Sequence, residues 1–317
     1  MNKIKRSIHL LKTALAVLLR EKKLLLFPLI ATGVALVVAT FFFAPVALYP
    51  TGHSYLSAAH WSAIGERVSQ IFPSHRPATH HSASAAFTAG FAASHVVFQH
   101  WWMTLFFALA YFTSMFLGTF CNVAFYHEIM QALNGHSVSV RRGFQFATTR
   151  WRAVLMWSLF AGLVGYIIQM IEQRVGFLGK IITSLIGFAW SIACVFVIPT
   201  LVRDTEVTNP LKLLRNSAGT LKRTWGELVV GFIGLEVVLI LIIIPATFIG
   251  IMIGGFHHHV IAPLLIFGIV FLTVLPFSWL RNLVNSVYRC ALYIYATEGV
   301  IPEPFDKELL DSAWKVK

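Results

Sequence analysis

Long apolar stretches alternate with short basic segments along the whole chain. A helix needs about 20 residues to cross the hydrocarbon core of a bilayer, and lipid favours helices because it leaves no partner for unpaired backbone groups. Six stretches approach or exceed that length: residues 24–48, 98–126, 153–171, 177–201, 228–253 and 260–280. The pattern predicts an all-α membrane protein with six transmembrane helices, forming a single integral membrane domain over residues 1–317.

Lysine and arginine are concentrated in every second connection between these stretches. Seven of them precede the first stretch, whereas residues 49–97 contain only Arg67 and Arg76. The same asymmetry recurs before the third and fifth stretches and after the sixth. Because positive residues accumulate on the cytoplasmic side, we expect both termini inside a bacterial inner membrane. Residues 49–97 then form an external loop rich in His, Ser and Ala, and residues 298–317 form a cytoplasmic tail.

An amphipathic helix is predicted before the first, third and fifth stretches. Apolar residues share one helical face at Ile4, Ile8, Leu11 and Leu15, then at Val140, Phe144, Ala147 and Trp151, and again at Leu211, Leu214, Ala218, Leu221 and Trp225. Asn209 is a predicted N-cap of the last of these helices, with Pro210 at its first position. A basic helix followed by a hairpin of two spans thus occurs three times. This is either a threefold internal repeat, or the basic and Trp composition of any cytoplasmic interface.

The number and positions of the charged residues indicate which kind of partner the basic residues bind. The net charge is +12, but no nucleic-acid-binding module is evident and the basic residues flank apolar segments. We therefore expect anionic phospholipid headgroups rather than nucleic acid as the partner. The candidate headgroup ligands are Arg141, Arg142, Arg150, Arg152, Lys212, Arg215, Lys222 and Arg223. Cys121, Cys194 and Cys290 have no CxxC spacing and are interpreted as small packing residues.

Glu236 is the acidic residue that the pattern places deepest in a span. It lies eight residues beyond Leu228, about 12 Å into the bilayer at the rise of an α-helix. Intramembrane carboxylates usually face a protein interior or a wet cavity. Glu236 therefore either contributes to transport or binding, or has a structural role through pairing with Asn122 or Arg281.

A polar stripe is predicted where the last span ends. Arg281, Asn282, Asn285 and Arg289 share one face of a helix that continues out of the membrane. They are either headgroup-binding residues or the lining at the mouth of a cavity. Together with Glu236 and Asn122, they make up the candidate intramembrane polar site.

Ten of the thirteen histidines fall on the predicted external side. Imidazole binds transition metals, so weak binding is a candidate property of His80, His81, His257, His258 and His259. The irregular spacing is more typical of a low-complexity polar loop, and no resident cofactor is predicted. The HEIMQ segment at His127 and Glu128 lacks the second histidine of a zinc-protease motif. With no nucleotide-binding or hydrolase motif either, an enzyme is the least supported class.

Two segments resemble those of a group of uncharacterised bacterial six-span membrane proteins. They are K-L-L-L-F-P at Lys23–Pro28, after a basic N-terminal helix, and R-T-W-G-E at Arg223–Glu227, which opens the fifth span. The likeness covers the chain apart from the His-rich loop. It implies a membrane architecture and carries no established activity.

Two functional hypotheses follow from the sequence, with a third less favoured. One is transport or lipid handling through a polar cavity near Glu236. The other is a non-catalytic scaffold or regulator that acts through the basic helices, and the third is metal or pH sensing by the external loop. Small residues at Gly250 and Gly254, and at Ala161 and Gly165, would permit close helix packing within the chain or in a homo-oligomer.

Overall fold

The computed structural model describes residues 3–71, 101–222 and 261–305. These segments contain helices and turns without any strand, which confirms the all-α class. In chain order the helices are α1 (Lys3–Arg20), α2 (Leu26–Ala47, preceded by a 3₁₀ turn at Lys22–Leu25), α3 (Ala58–Ile71), α4 (Trp101–Leu133), α5 (Val140–Thr149), α6 (Trp151–Arg174), α7 (Phe177–Ala193), α8 (Val197–Arg203), α9 (residues 210–222) and α10 (Ile261–Glu298).

Four helical segments of the described chain are long and apolar enough to cross a membrane. They are Lys22–Ala47, Leu105–Leu133, Trp151–Glu172 and Gly179–Arg203. These coincide with the first four predicted spans. Large apolar side chains such as Val37 and Leu185 are exposed on them, as expected where lipid is the solvent. The predicted fifth span lies outside the described residues. The predicted sixth span falls on α10 and is not among these four segments.

Two predicted helices differ from the observed ones. The second span was predicted to end at Tyr126, but α4 continues for almost two further turns to Leu133. The fourth was predicted as one helix, but turn residues 194–196 separate α7 from α8. The hydroxyl of Ser217 on α9 donates to the carbonyl of Ala193 (2.6 Å) and accepts from the amide of Phe196 (3.1 Å). Ser217 therefore provides hydrogen-bond partners for two backbone groups at the interruption between α7 and α8.

The chain divides into two compact units. Of the described residues, 32–71 and 101–118 form one, and 3–31, 119–222 and 261–305 form the other. In the first unit His60 is completely buried. Its Nε2 donates to the carbonyl of Ala47 (2.9 Å), and its Nδ1 accepts from the hydroxyl of Thr51 (2.6 Å), so it fastens the start of α3 to the end of α2. The second unit contains the basic helices and most of the candidate site residues.

Candidate functional site

The three predicted basic helices are present as α1, α5 and α9. The hydroxyl of Ser139 lies at the N-terminus of α5, and the Asn209 Oδ1 accepts from the Leu211 amide (2.9 Å), which confirms the predicted cap of α9. One face of each helix is covered by protein. The buried residues include Ala14, Val17 and Leu18 in α1, Gly143 and Ala147 in α5, and Leu213, Ser217 and Leu221 in α9.

Basic side chains are exposed on these helices or directly after them. In α9 the exposed positions 212, 215, 219 and 222 follow helical spacing and include Lys212, Arg215 and Lys222. Arg141 of α5 and Arg152 at the start of α6 are exposed, and Gln145, Thr148 and Thr149 between them are exposed and neutral. Lys12 of α1 and the following Lys22 and Lys23 are exposed as well. We call these eight basic residues the basic collar.

Large apolar side chains are exposed beside the basic collar. Leu19 is 60% exposed next to Lys22 and Lys23, Leu211 is 60% exposed next to Lys212, and Trp151 is 48% exposed. The Arg152 guanidinium carbon lies 5.6 Å from the centroid of the Trp151 ring. Basic groups beside exposed Leu or Trp are the combination that binds the interfacial region of a membrane.

An ion pair between a buried carboxylate and a partly exposed arginine joins α4 to α5. The Glu128 side chain is completely buried and accepts from Arg142 through both carboxylate oxygens, at 2.9 Å from Nε and 2.7 Å from Nη2. The Ser139 amide donates to the same carboxylate (2.7 Å), and His127 Nδ1 lies 3.1 Å from it. Arg142 also donates to the Ser137 carbonyl (2.7 Å). Its hydrogen bond to Glu128 raises the pKa of Arg142 above its usual value.

Close packing around this pair brings α5 against α4. A Cβ on Gly143 would lie 2.8 Å from the Ala124 carbonyl oxygen and 2.9 Å from the Glu128 Cγ. The imidazole of His127 stacks on Phe146 with the ring centroids 4.1 Å apart. A larger residue at position 143 would therefore force α5 and α4 apart, and the contacts with α4 orient α5.

The predicted headgroup ligands separate into two groups. Arg141, Arg152, Lys212, Arg215 and Lys222 are exposed. Arg142 instead holds Glu128, and Arg150 donates to the main-chain carbonyls of Asp204, Thr205 and Val207. Arg223 lies outside the described residues. The first group is thus accessible to a ligand, whereas the guanidinium groups of the second bind the protein itself.

The predicted intramembrane polar site is described only in part. Glu236 lies outside the described residues, so its pairing with Asn122 or Arg281 stays a prediction. Asn122 is exposed on α4. On α10, Asn282 is exposed, Asn285 is buried, and Arg281 and Arg289 are partly buried. This helix does continue to Glu298, as expected from the polar stripe.

The histidines predicted to bind metal are not described. His80, His81, His257, His258 and His259 all lie outside the described residues. Within residues 3–71, 101–222 and 261–305, no three His, Cys, Asp or Glu side chains are grouped as metal ligands. Cys121 and Cys290 are buried free thiols and Cys194 is half-buried, in keeping with a packing role.

The residue that sequence reasoning missed is Glu128. The prediction ended the span at Tyr126 and considered Glu128 only as part of the HEIMQ segment. The available signal was an acid and an arginine 14 residues apart, on either side of an Asn134-Gly135 turn in which Gly135 has φ +81°. Such a turn brings the end of one helix beside the start of the next.

These features define an all-helical protein with several helices suited to a membrane. Residues 98–302 match the model of a family of unknown function, DUF6159, and the chain belongs to this family. The match includes Arg223–Glu227 but not Lys23–Pro28, which precedes it. No curated protein and no solved structure matches the chain.

Proposed function

We propose that this protein is a non-catalytic, multi-pass protein of a bacterial inner membrane that binds anionic phospholipid headgroups through its basic collar. It would act as a membrane-resident scaffold or regulator with its termini in the cytoplasm. The observation that carries the proposal is the exposure of basic side chains near Leu19 and Trp151, at the starts of membrane-length helices, and near Leu211 on α9.

Electrostatics gives this surface a preference among lipids. A lysine or arginine near an anionic membrane surface gains about 1 kcal/mol, and the gain decays within a Debye length of about 10 Å at 0.1 M salt. Several collar residues acting together would favour phosphatidylglycerol over a zwitterionic lipid. Exposed Leu and Trp side chains would add contact with the acyl region in a way that salt does not screen.

Rigid support favours binding at the collar over a freely moving basic segment. The buried faces of α1, α5 and α9 and the Glu128–Arg142 pair fix the helices on the protein. Prearranged groups lose less conformational entropy on binding. Transport or lipid handling near Glu236 is the alternative hypothesis, and it rests on residues outside the described part of the chain.

Lipid selectivity in reconstituted vesicles tests this proposal. Spin-labelled phosphatidylglycerol and phosphatidylcholine would be compared for the fraction held motionally restricted by the protein. We expect the wild type to prefer phosphatidylglycerol and Lys212→Gln/Arg215→Gln to lose part of that preference, with the difference shrinking at high salt. The matched control Lys212→Arg/Arg215→Lys keeps both charges and should keep the preference. Equal association of both lipids with the wild type would contradict the proposal.

A further inference from the structure

Two arginines occupy corresponding places at the starts of the first two hairpins. Arg20 ends α1, just before the first membrane-length segment, and Arg150 lies between α5 and α6, just before the third. Arg20 Nη2 donates to the carbonyl of Ala132 in the last turn of α4 (2.9 Å). Arg150 donates from Nη2 to the carbonyls of Val207 (2.8 Å) and Asp204 (3.2 Å), and from Nη1 to that of Thr205. Each arginine therefore reaches the chain at the end of the second helix of its own hairpin.

The residues near the carbonyls that the two arginines bind have the same spacing in both hairpins. Ala132 follows Cys121 by eleven residues, and Thr205 follows Cys194 by eleven. Two residues after each cysteine stands a fully buried side chain, Val123 in one hairpin and Phe196 in the other.

The match extends to the first helices of the two hairpins. Leu24 and Val154 lie four residues after the arginines, and both have no exposed surface. Phe27 and Trp157 lie seven residues after them and are 2% and 5% exposed. In both hairpins the residues four and seven positions after the arginine are buried. The two arginines therefore have the same position relative to the packed face of the helix that follows.

We propose that Arg20 and Arg150 are equivalent hairpin clamps of an internal repeat, each closing the base of its hairpin by binding main-chain carbonyls. The base is the end of the hairpin next to its basic helix. In the first hairpin the neighbouring Glu21 adds to the closure, because its Oε2 accepts from the Val138 amide (3.2 Å). This inference concerns the coupling of helices and does not depend on lipid binding.

Arginine is suited to this role by its chemistry. The last carbonyls of a helix have no partner within the helix, and a cation there also offsets the negative end of the helix dipole. A guanidinium has five donors in a fixed plane, so it serves several carbonyls at once, as Arg150 does. Lysine offers a single nitrogen and would keep the charge but not this set of bonds.

Amide hydrogen exchange of the full-length protein in lipid nanodiscs tests the clamps. We expect Arg150→Met to speed exchange in peptides covering residues 203–209 by about tenfold while leaving residues 132–138 unchanged, because opening frees only the local base. Arg20→Met should do the reverse. Arg152→Met is the matched control, since Arg152 is exposed two residues beyond Arg150, and should change neither region.

If a methionine variant does not fold, the conservative variants Arg20→Lys and Arg150→Lys test the same proposal. Each should give a smaller acceleration, confined to its own hairpin. Wild-type exchange at residues 203–209 in Arg150→Lys and Arg150→Met would overturn the proposal. Equal acceleration of both bases by either arginine variant would overturn it too, because that result indicates general destabilisation.

Discussion

The contacts that hold α5 and α9 against the preceding membrane-length segments perform the same structural task with different chemistry. Each holds a basic helix against the second membrane-length segment of the hairpin before it. The first uses a completely buried carboxylate of α4 that binds Arg142, the Ser139 amide and His127. The second uses neutral groups, with Ser217 of α9 bonded to Ala193 and Phe196 at the interruption between α7 and α8. The first contact therefore depends on a buried charge, whereas the second depends on ordinary hydrogen bonds.

This difference predicts unequal sensitivity to mutation. A buried charge that loses its partner retains the whole cost of desolvation, whereas a neutral group loses one bond. Loss of the partner of the buried carboxylate should therefore be more damaging than loss of Ser217, although both contacts support a basic helix.

Arg142→Gln should have the largest effect. Removal of the guanidinium leaves the completely buried Glu128 carboxylate without its ion-pair partner, and such a loss costs about 3–5 kcal/mol. The free energy of unfolding in mixed micelles measures this. Arg203→Gln is the control, because it breaks a pair with Glu298 (2.6 Å) in which the two side chains are 48% and 28% exposed, and it should cost about 0–1 kcal/mol. Similar losses in the two variants would contradict the importance of the buried pair.

Gly143→Ala and Gly219→Ala should act in opposite directions. The first places a Cβ against the Ala124 carbonyl oxygen and should destabilise the protein by about 1–3 kcal/mol. The second adds a methyl group where nothing lies within 4 Å, so it should stabilise α9 by up to about 1 kcal/mol. Thermal unfolding of both variants in one detergent checks the sign. A neutral Gly143→Ala would show that α5 is free to move away from α4.

Ser217→Ala should cost about 1–3 kcal/mol, because it leaves two buried backbone groups with one bond fewer. The control Ser191→Ala removes a bond from an exposed hydroxyl to the Gly187 carbonyl and should change stability by less than about 0.5 kcal/mol. Chemical unfolding curves distinguish the two. If Ser217→Ala proved as harmful as Arg142→Gln, the contrast between the charged and the neutral contact would be wrong.

The smallest effect is expected at the cap of α9. Asn209→Ala removes the bond to the Leu211 amide and should cost about 0.5–2 kcal/mol, whereas Asn209→Gly should cost only a few tenths. Amide exchange in the first turn of α9 reports this directly. Equal protection in both variants would show that Asn209 does not cap the helix.

The features that depend on residues close together in the chain could be predicted from the sequence. Apolar length located the first four membrane-length helices, and Asn209 with Pro210 located the start of α9. The interruption at residues 194–196 could not be predicted, because the apolar run continues through it and Ser217 is 21 residues away from Phe196. Arg142 and Arg150 were assigned to lipid because sequence shows a positive charge but not the distant groups that it binds.

Labelling of single cysteines from each side of the membrane tests the central claim most directly. In a variant without Cys121, Cys194 and Cys290, a cysteine would be introduced by Lys212→Cys on the basic collar or by Lys180→Cys on α7. An impermeant maleimide would then be applied to spheroplasts before and after permeabilisation. We predict that Lys180→Cys is labelled at once and Lys212→Cys only after permeabilisation. Labelling of Lys212→Cys in intact spheroplasts would contradict a basic collar that faces the cytoplasm.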